Sequence, residues 1–229
     1  MYSILNVRTS QDVPLDDLTA RARIRDTAIA CFAATGFDAT VRQIAARAGV
    51  SAGLITHHFG SKEALRTECD NEVLRRILEL KVDTLHMPPS QSIGRIAQLG
   101  DYGPMFGYTL RCVREGGEPG RVFLQNMIDD AREYTTDAVE RGMVLPSADP
   151  EARVTLLVTQ TIGGMLLQLT LLGQTDFSDG AALIRIMTKT TTFSLLELYT
   201  QGLLTDSSLL DEYLKQMPQV APATSQPSK

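Results

Sequence analysis

The chain has 229 residues, 43% of them hydrophobic and 21% charged, which is ordinary for a soluble globular protein of one or two domains. Its net charge of −5, taken as a total, argues against a nucleic-acid partner. The cysteines Cys31, Cys69 and Cys112 have spacings that fit no metal or redox motif, and they are expected to be buried small hydrophobic residues.

Residues 1–17 show no helical periodicity, and we expect a flexible N-terminal arm there. They lack the basic start and long apolar run of a signal peptide, which predicts a cytoplasmic protein. Between residues 21 and 62 there are six basic and two acidic residues, whereas from residue 86 onward there are 11 basic and 16 acidic ones. Because phosphate contacts depend on local charge, this distribution predicts a nucleic-acid-binding module followed by an acidic domain with a second task.

A helix-turn-helix is predicted within residues 18–65, with the motif at about 40–59. A preceding helix is indicated by apolar residues at helical spacing, namely Ile24, Ala28, Cys31 and Phe32. Thr40 and Gln43 have the capping-box spacing for the first motif helix, and Gly49 can end it in the left-handed conformation. Ser51 can then cap a second motif helix that runs to about His58.

The second motif helix carries the candidate DNA-reading face, since this helix of a helix-turn-helix enters the major groove. Leu54 and Ile55 are expected to point inward, which leaves small and polar side chains outside. The candidate DNA-binding residues are Thr40, Val41, Arg42, Ser51, Ala52, Gly53, Thr56, His57, His58 and Lys62. Arg42 and Lys62 are expected to contact phosphates, and His57 is expected to influence base preference.

The segment from Arg23 to about Leu74 resembles the DNA-binding domain of the TetR (tetracycline-repressor) family of regulators. The matching positions are Ile24, Ala28, Phe32, Gly36-Phe37, Thr40-Val41, Ile44-Ala45, Ala48-Gly49-Val50-Ser51, His58-Phe59 and Lys62-Glu63-Ala64-Leu65. The resemblance implies a dimeric, ligand-responsive regulator of double-stranded DNA with a palindromic operator, and repression is the commoner outcome. The family commonly has an aromatic residue, usually Tyr, where this chain has Thr56, so the resemblance does not imply which bases are read.

Residues 66–216 are predicted to form a helical domain, and the chain reads as all-α because no useful length alternates at period two. A long helix from Ser61 to about Leu85 would join the two domains, and the proline pair at residues 88–89 would end it. Further helices are predicted near residues 93–99, 104–114, 119–141, 151–172, 180–200 and 206–216, with a loop at 115–118. Residues 217–229 are expected to be disordered.

Residues 154–175 contain no charge and are long enough to cross a bilayer. They also contain many polar and small residues, among them Gln160, Gly164 and Gln168, so no membrane association is predicted. The helices near 151–172 and 180–200 are apolar almost all round and must bury most of their sides. A monomeric core or a two-fold interface would satisfy this, and the resemblance favours a homodimer built on these two helices.

Two helices carry wide apolar faces that contain aromatic and methionine side chains. Such faces are typical of core packing and also of an adaptable cavity, and the resemblance favours the cavity. The candidate ligand-binding residues are Tyr102, Met105, Phe106, Thr109, Phe123, Met127 and Tyr134. Because these faces carry few charges, a mostly apolar small effector is predicted, and no cofactor is expected.

No enzyme or metal site is predicted, because the chain lacks a phosphate-cradling loop, a metalloprotease helix and a nucleophile elbow. His57 and His58 are adjacent on a helix and would point in different directions. The side chains expected to be solvated are His86, Asp129, Asp130 and Glu133. A rival interpretation is a cytosolic helical small-molecule-binding protein without specific DNA binding, and a gel-shift assay with the upstream DNA would distinguish the two.

Overall fold

The computed structural model describes residues 15–96, 99–174 and 176–216. The α-helices are α1 (Leu15–Thr35), α2 (Val41–Ala48), α3 (Ala52–Phe59), α4 (Lys62–His86), α5 (Pro89–Ile96), α6 (Gly103–Glu115), α7 (Gly117–Glu140), α8 (Pro150–Leu171), α9 (Gly180–Gln201) and α10 (Ser208–Gln216), with a 3₁₀ helix at Leu99–Tyr102. These ranges contain no strand and about 82% of their residues are helical, which confirms the all-α prediction. The predicted tail and most of the predicted arm lie outside the described residues, and α1 already includes residues 15–17.

Most helix boundaries fall within two residues of the prediction, but two predictions are wrong. Helix α5 begins at Pro89 rather than near residue 93, because proline is well tolerated in the first turn of a helix. The loop predicted at residues 115–118 is reduced to Gly116, which alone separates α6 from α7. Gly116 and Gly117 have φ of 63° and 65°, and two successive glycines in the left-handed region reverse the chain within a single residue.

One continuous core joins the first helices to the second half of the chain. Ile24 and Phe32 of α1 are fully buried and pack with Ile55 of α3. The same cluster continues into Tyr108 of α6 and Phe123 of α7, which are also buried. A displacement of α6 therefore reaches α1 through direct side-chain contact, with no flexible linker between them.

The remaining helices form two smaller layers. Helices α7 and α8 pack through Ile128, Ala131, Val154 and Val158, whereas α6, α8 and α9 meet around Leu110, Leu169 and Leu183. By length and composition alone α8 could cross a membrane, and only 22% of its apolar window is buried within this chain. An interface helix of a soluble protein has the same character, so the uncovered side of α8 is a candidate interaction surface.

Candidate nucleic-acid interface and effector cavity

The turn between α2 and α3 has the geometry that its sequence predicts. The Thr40 hydroxyl accepts the backbone N–H of Gln43 at 3.3 Å, and the Gln43 side chain accepts the N–H of Thr40 at 2.7 Å, which completes a capping box. Gly49 follows α2 in the left-handed region with φ 67° and donates its N–H back into the helix. Ser51 accepts the N–H of Leu54 at 3.1 Å and caps α3. These predictions are confirmed.

Helix α3 is fixed by its inner face and leaves part of its surface to solvent. Ile55 is buried, whereas Gly53, Thr56 and His57 are exposed, as predicted. One prediction needs correction, because Ala52 is half-buried against the core rather than exposed. Leu54 points inward as predicted and packs against the same core while it remains partly exposed. The face that can approach a base edge is therefore narrower than the sequence suggests.

His58 lies at the edge of this face and is half-buried. Its ring packs against the ring of Phe59, and the two ring centroids are 6.0 Å apart. Its carbonyl oxygen accepts a hydrogen bond from Arg21 at 2.6 Å. Arg21 also pairs with Glu68 at 3.1 Å and lies 4.7 Å above the Phe59 ring. Arg21 thus joins α1 to the end of α3 and to α4, and much of its charge is neutralised within the protein.

Some basic side chains around the motif are not neutralised in this way. Arg23 and Arg42 are exposed, Lys62 is half-buried at the first position of α4, and none forms an ion pair with another described residue. No acidic residue occurs between Asp38 and Glu63 in the sequence. Thr40 is exposed at the start of α2 and Val41 is half-buried behind it, so the first turn of this helix also presents backbone N–H groups to an anion.

A buried carboxylate, that of Glu72 on α4, holds α1 and α4 together. Its side chain is 7% exposed and lies 3.1 Å from Arg25 of α1 and 2.6 Å from Arg76. Arg76 also pairs with Asp26 of α1 at 2.6 Å. Three arginines lower the pKa of Glu72 to about 2. The largest effect comes from the hydrogen bond that Arg75 donates, and Arg76 and Arg25 add to it.

Glu72→Gln is expected to lower the free energy of unfolding at neutral pH by about 2 kcal/mol, because it removes the charge of a buried carboxylate that pairs with Arg25, Arg75 and Arg76. The pKa of Glu72 is about 2 in the folded chain against 4.5 for a free glutamate, so its contribution is full above pH 4.5 and is lost as pH falls toward 2. Urea titrations between pH 3 and pH 7 measure this. The control is Glu79→Gln, since Glu79 also contacts Arg75 but is 59% exposed, and it should change stability by less than about 1 kcal/mol.

Helix α6 contacts both helices of this pair. The Tyr108 hydroxyl donates a hydrogen bond to Asp70 of α4 at 2.6 Å, and burial is the main cause that raises the pKa of both groups. Arg111 donates to the carbonyl oxygens of Ala33 and Ala34 near the end of α1, at 3.3 and 3.2 Å. The cation thereby satisfies backbone acceptors that the helix end leaves open.

A cavity of about 190 Å³ lies between α4, α7, α8 and α9. Its lining residues are Ile77, Leu78, Lys81, Met127, Asp130, Tyr134, Leu157, Val158, Thr161, Ile162 and Tyr199. Met127 and Tyr134 are among the seven residues predicted to bind ligand. The cavity lies one layer away from the α6–α7 location that the sequence suggested, because the facing wall is α8 rather than α6.

The other predicted ligand residues lie elsewhere. Met105 and Phe123 are buried in the central core, and Thr109 is buried and donates to the carbonyl of Met105 at 3.0 Å. Tyr102 and Phe106 are partly buried against neighbouring apolar clusters. Ligand binding by these residues stays a prediction, and the cavity itself does not include them.

Two charged residues that line the cavity, Lys81 and Asp130, are not among the predicted ligand-binding residues. Asp130 was expected to be solvated, yet it is half-buried, and burial is the first cause that raises its pKa, followed by Glu133 and Asp129. Lys81 on α4 also lines the cavity, although the residue as a whole is exposed. The spacing of Ile77, Leu78 and Lys81 along one side of α4 was the available signal, but spacing alone does not show which helix faces them.

Three smaller expectations can be compared with the structure. Cys31, Cys69 and Cys112 are buried as predicted, and burial raises the pKa of all three thiols. His86 is not simply solvated, since its Nε2 atom lies 3.1 Å from Asp137. Among the described residues, no three His, Cys, Asp or Glu side chains are close enough to hold a metal ion.

These features define a helix-turn-helix transcriptional regulator in which further helices share one core with the motif helices. Residues 24–69 match "Bacterial regulatory proteins, tetR family", and residues 100–205 match "Tetracyclin repressor-like, C-terminal domain". The chain belongs to the TetR family of transcriptional regulators, which are not enzymes.

One curated relative matches nearly the whole chain. It is the HTH-type transcriptional regulatory protein RaaS of Mycobacterium tuberculosis, 40% identical over 204 residues, which are 89% of this chain and 95% of that protein. Two solved structures share the fold. They are a TetR transcriptional regulator from Chloroflexus aurantiacus (TM-score 0.50, 20% identity, 76% of this chain and 96% of that chain) and SmeT, the repressor of the Stenotrophomonas maltophilia multidrug efflux pump SmeDEF (TM-score 0.50, 20% identity, 76% and 91%).

Proposed function

We propose that this regulator is a cytoplasmic homodimeric repressor that leaves a palindromic operator when a small, mostly apolar molecule occupies the cavity. The observation that carries the proposal is the course of α4. This helix begins with Lys62 at the DNA-facing motif and carries Ile77, Leu78 and Lys81 in the wall of the cavity. One rigid helix therefore belongs to both sites, and a ligand that tilts it moves the motif.

The proposed dimer uses the outer faces of α8 and α9. The large hydrophobic side chains exposed there include Leu156, Leu167, Leu171, Phe193 and Leu196. An apolar surface of this extent on two adjacent long helices is typical of a subunit interface, and pairing with the same two helices of a second copy gives two-fold symmetry. The two recognition helices would then have to lie about 34–36 Å apart to enter successive major grooves.

The proposed switch has two states that differ in this separation. The effector stabilises the state in which the recognition helices no longer fit the operator, and it acts only through its different affinity for the two states. The ion pairs of Glu72 and the hydrogen bond from Tyr108 to Asp70 make α1, α4 and α6 one packed unit. The two states therefore differ in the angle of a whole unit and not in the internal structure of the motif.

Lys62→Ala is expected to weaken binding to specific and unrelated DNA alike and to reduce the slope of log K against log salt by about one, because Lys62 would neutralise one phosphate. His57→Ala, on the exposed face of α3, is expected instead to change the preference between operator variants. Gel-shift titrations over a series of salt concentrations separate the two effects.

The control for these measurements is Arg121→Ala, because Arg121 is a 66% exposed basic residue on α7, outside the motif and the cavity. If neither Lys62→Ala nor His57→Ala alters binding to the chain's own upstream DNA, the assignment of α3 as the reading helix is wrong. If the unmutated chain binds no upstream DNA in specific form, the chain fits a small-molecule-binding protein better than a repressor.

Met127→Trp is expected to reduce effector affinity at least about tenfold, because the indole fills space that an apolar ligand needs in a cavity of about 190 Å³. A saturating effector at 100 times its dissociation constant should stabilise the unmutated protein by about 2.7 kcal/mol. A thermal-shift screen of apolar and charged compounds finds the effector, and gel shifts then measure its coupling to DNA.

The matched control for the cavity is Val122→Trp, since Val122 lies on the same helix, is 43% exposed and does not line the cavity. It should retain the full thermal shift. Equal loss of affinity in both variants would place the effector elsewhere, and hits restricted to sugars or polyanions would contradict the apolar effector.

A further inference from the structure

Helix α10 (Ser208–Gln216) has no buried residue and no other described element packs extensively against it. Of its apolar side chains Leu214 is half-buried, whereas Leu209, Leu210 and Tyr213 are 67%, 58% and 50% exposed. An isolated helix of nine residues is marginal in water, because helices shorter than about 12 residues need tertiary packing. Most of the apolar face of this helix therefore has no covering surface within the described part of the subunit.

The same helix lies beyond the part of the chain that matches the C-terminal family domain, which ends at residue 205. The connector over residues 202–207 begins with Gly202 at φ 77° and carries Leu203 and Leu204, which are 84% and 62% exposed. Six residues extend at most about 20 Å, which is enough to cross to a neighbouring subunit. We call residues 202–216 the C-terminal arm.

We propose that the C-terminal arm of each subunit docks on α9 of the partner subunit and clamps the dimer. This inference rests on the proposed homodimer, because it names a second copy of the chain as the occupant of the surface. Of the sixteen large hydrophobic residues that are exposed in the described ranges, thirteen lie from Leu156 onward, on α8 or just after its end, on α9 or in the arm. The exposed apolar side chains of the described residues are therefore concentrated on the proposed dimer face and the arm.

Charge complementarity places the arm on α9. Arg185 and Lys189 are exposed on α9 and form no ion pair with another described residue. They lie at i and i+4, and Phe193 and Leu196 continue the same stripe at i+8 and i+11, so one face of α9 is basic at its start and apolar toward its end. The arm supplies the opposite sign through Asp206 and Asp211. Asp206 accepts a hydrogen bond from the backbone N–H of Ser208, and Asp211 accepts one from the hydroxyl of Ser207.

The geometry of a two-fold axis favours docking on the partner over docking on the same subunit. Two copies of α9 related by an axis that crosses them run antiparallel, so the end of one lies beside the start of the other. Arg185 and the end of α9 at Gln201 are 16 residues apart, or about 24 Å along a helix. An arm that leaves the end of α9 therefore emerges close to Arg185 of the partner subunit and far from its own Arg185.

Cross-linking the full-length chain tests this arrangement. We expect Lys189→Cys with Asp211→Cys, treated with a short bismaleimide, to give mostly covalent dimer on a denaturing gel. Each single variant is the control, because the three native cysteines are buried. A product that is mainly an internally linked monomer, or no cross-link in a protein that remains dimeric, overturns the docking of the arm and leaves the proposed repressor intact. A monomer in light scattering of the unmutated chain overturns the homodimer as well.

Dimer affinity provides a second readout. Leu209→Glu with Tyr213→Glu should raise the dimer dissociation constant at least about tenfold, whereas Leu145→Glu, at a side chain that is 83% exposed outside α8, α9 and the arm, should leave it unchanged. Lys189→Glu and Asp211→Lys should each weaken the dimer, and the two together should restore part of the loss. Unchanged dimer affinity in the arm variant, or no restoration in the charge exchange, contradicts the clamp.

Discussion

Gly180→Ala is expected to lower the free energy of unfolding by at least about 3 kcal/mol, the largest stability loss that a single methyl group should cause in this chain. A Cβ atom at Gly180 would lie 1.8 Å from the carbonyl oxygen of Gly103 and 2.7 Å from its Cα atom. Both glycines are the first residues of their helices, so α6 and α9 cross backbone to backbone. Since no flexible side chain can move aside, α9 must separate from α6.

Thermal denaturation measures the loss as a fall of roughly 6–12 °C in Tm, at about 2–4 °C for each kcal/mol in a chain of this size. The control is Gly94→Ala in α5, where no heavy atom lies within 4 Å of the added Cβ and alanine should be neutral or slightly stabilising. A Tm for Gly180→Ala within a degree of the unmutated protein would show that the two helices do not cross this closely.

Local chemistry explains why the motif could be predicted from the sequence. The Thr40–Gln43 capping box, the left-handed Gly49 and the Ser51 cap each depend on residues three or four positions apart. Their hydrogen bonds form wherever the chain is helical, and tertiary packing does not change them. The positions of α2 and α3 therefore follow from a short stretch of sequence.

The contacts that join the domains could not be predicted in this way. Asp26 and Arg76 are 50 residues apart, and Tyr108 and Asp70 are 38 apart. An exposed helix face also carries Arg and Asp residues, so the residue types alone do not indicate which pairs meet. The pairing depends on the packing of α6 against both α1 and α4, which becomes visible only in three dimensions.

The cavity shows a second limit. An apolar stripe identifies the face of a helix but not the helix that lies opposite, and the stripes of α6 and α7 were therefore assigned to each other. In the structure Phe123 of α7 is buried in the core with α6 and Tyr134 packs against the α7–α8 cluster, whereas Met127 contacts both. Helix α7 thus contributes both to the core and to the cavity. Only Gly116 separates α6 from α7, so the start of α7 lies directly against α6.

Gly164→Arg is expected to convert the protein to a monomer and to weaken operator binding by about 10³-fold or more. Gly164 is exposed on α8, and no heavy atom lies within 4 Å of a Cβ added there, so one subunit can accept the new side chain at little cost. In the proposed dimer the same arginine would be buried against a second apolar helix, which costs several kcal/mol. A monomer contacts one half-site and loses the high effective concentration of its second motif, which leaves affinity close to that for unrelated DNA.

Light scattering and gel shifts on the same preparation measure the two effects, and circular dichroism shows that the subunit keeps its helices. Gly94→Arg is the matched control, because it adds the same charge at another open helical glycine, away from α8 and α9. A variant that stays dimeric would move the interface off this part of α8. A monomeric variant that still binds the operator tightly would mean that one motif is enough for recognition. In that case the effector could not act by changing the spacing between two motifs.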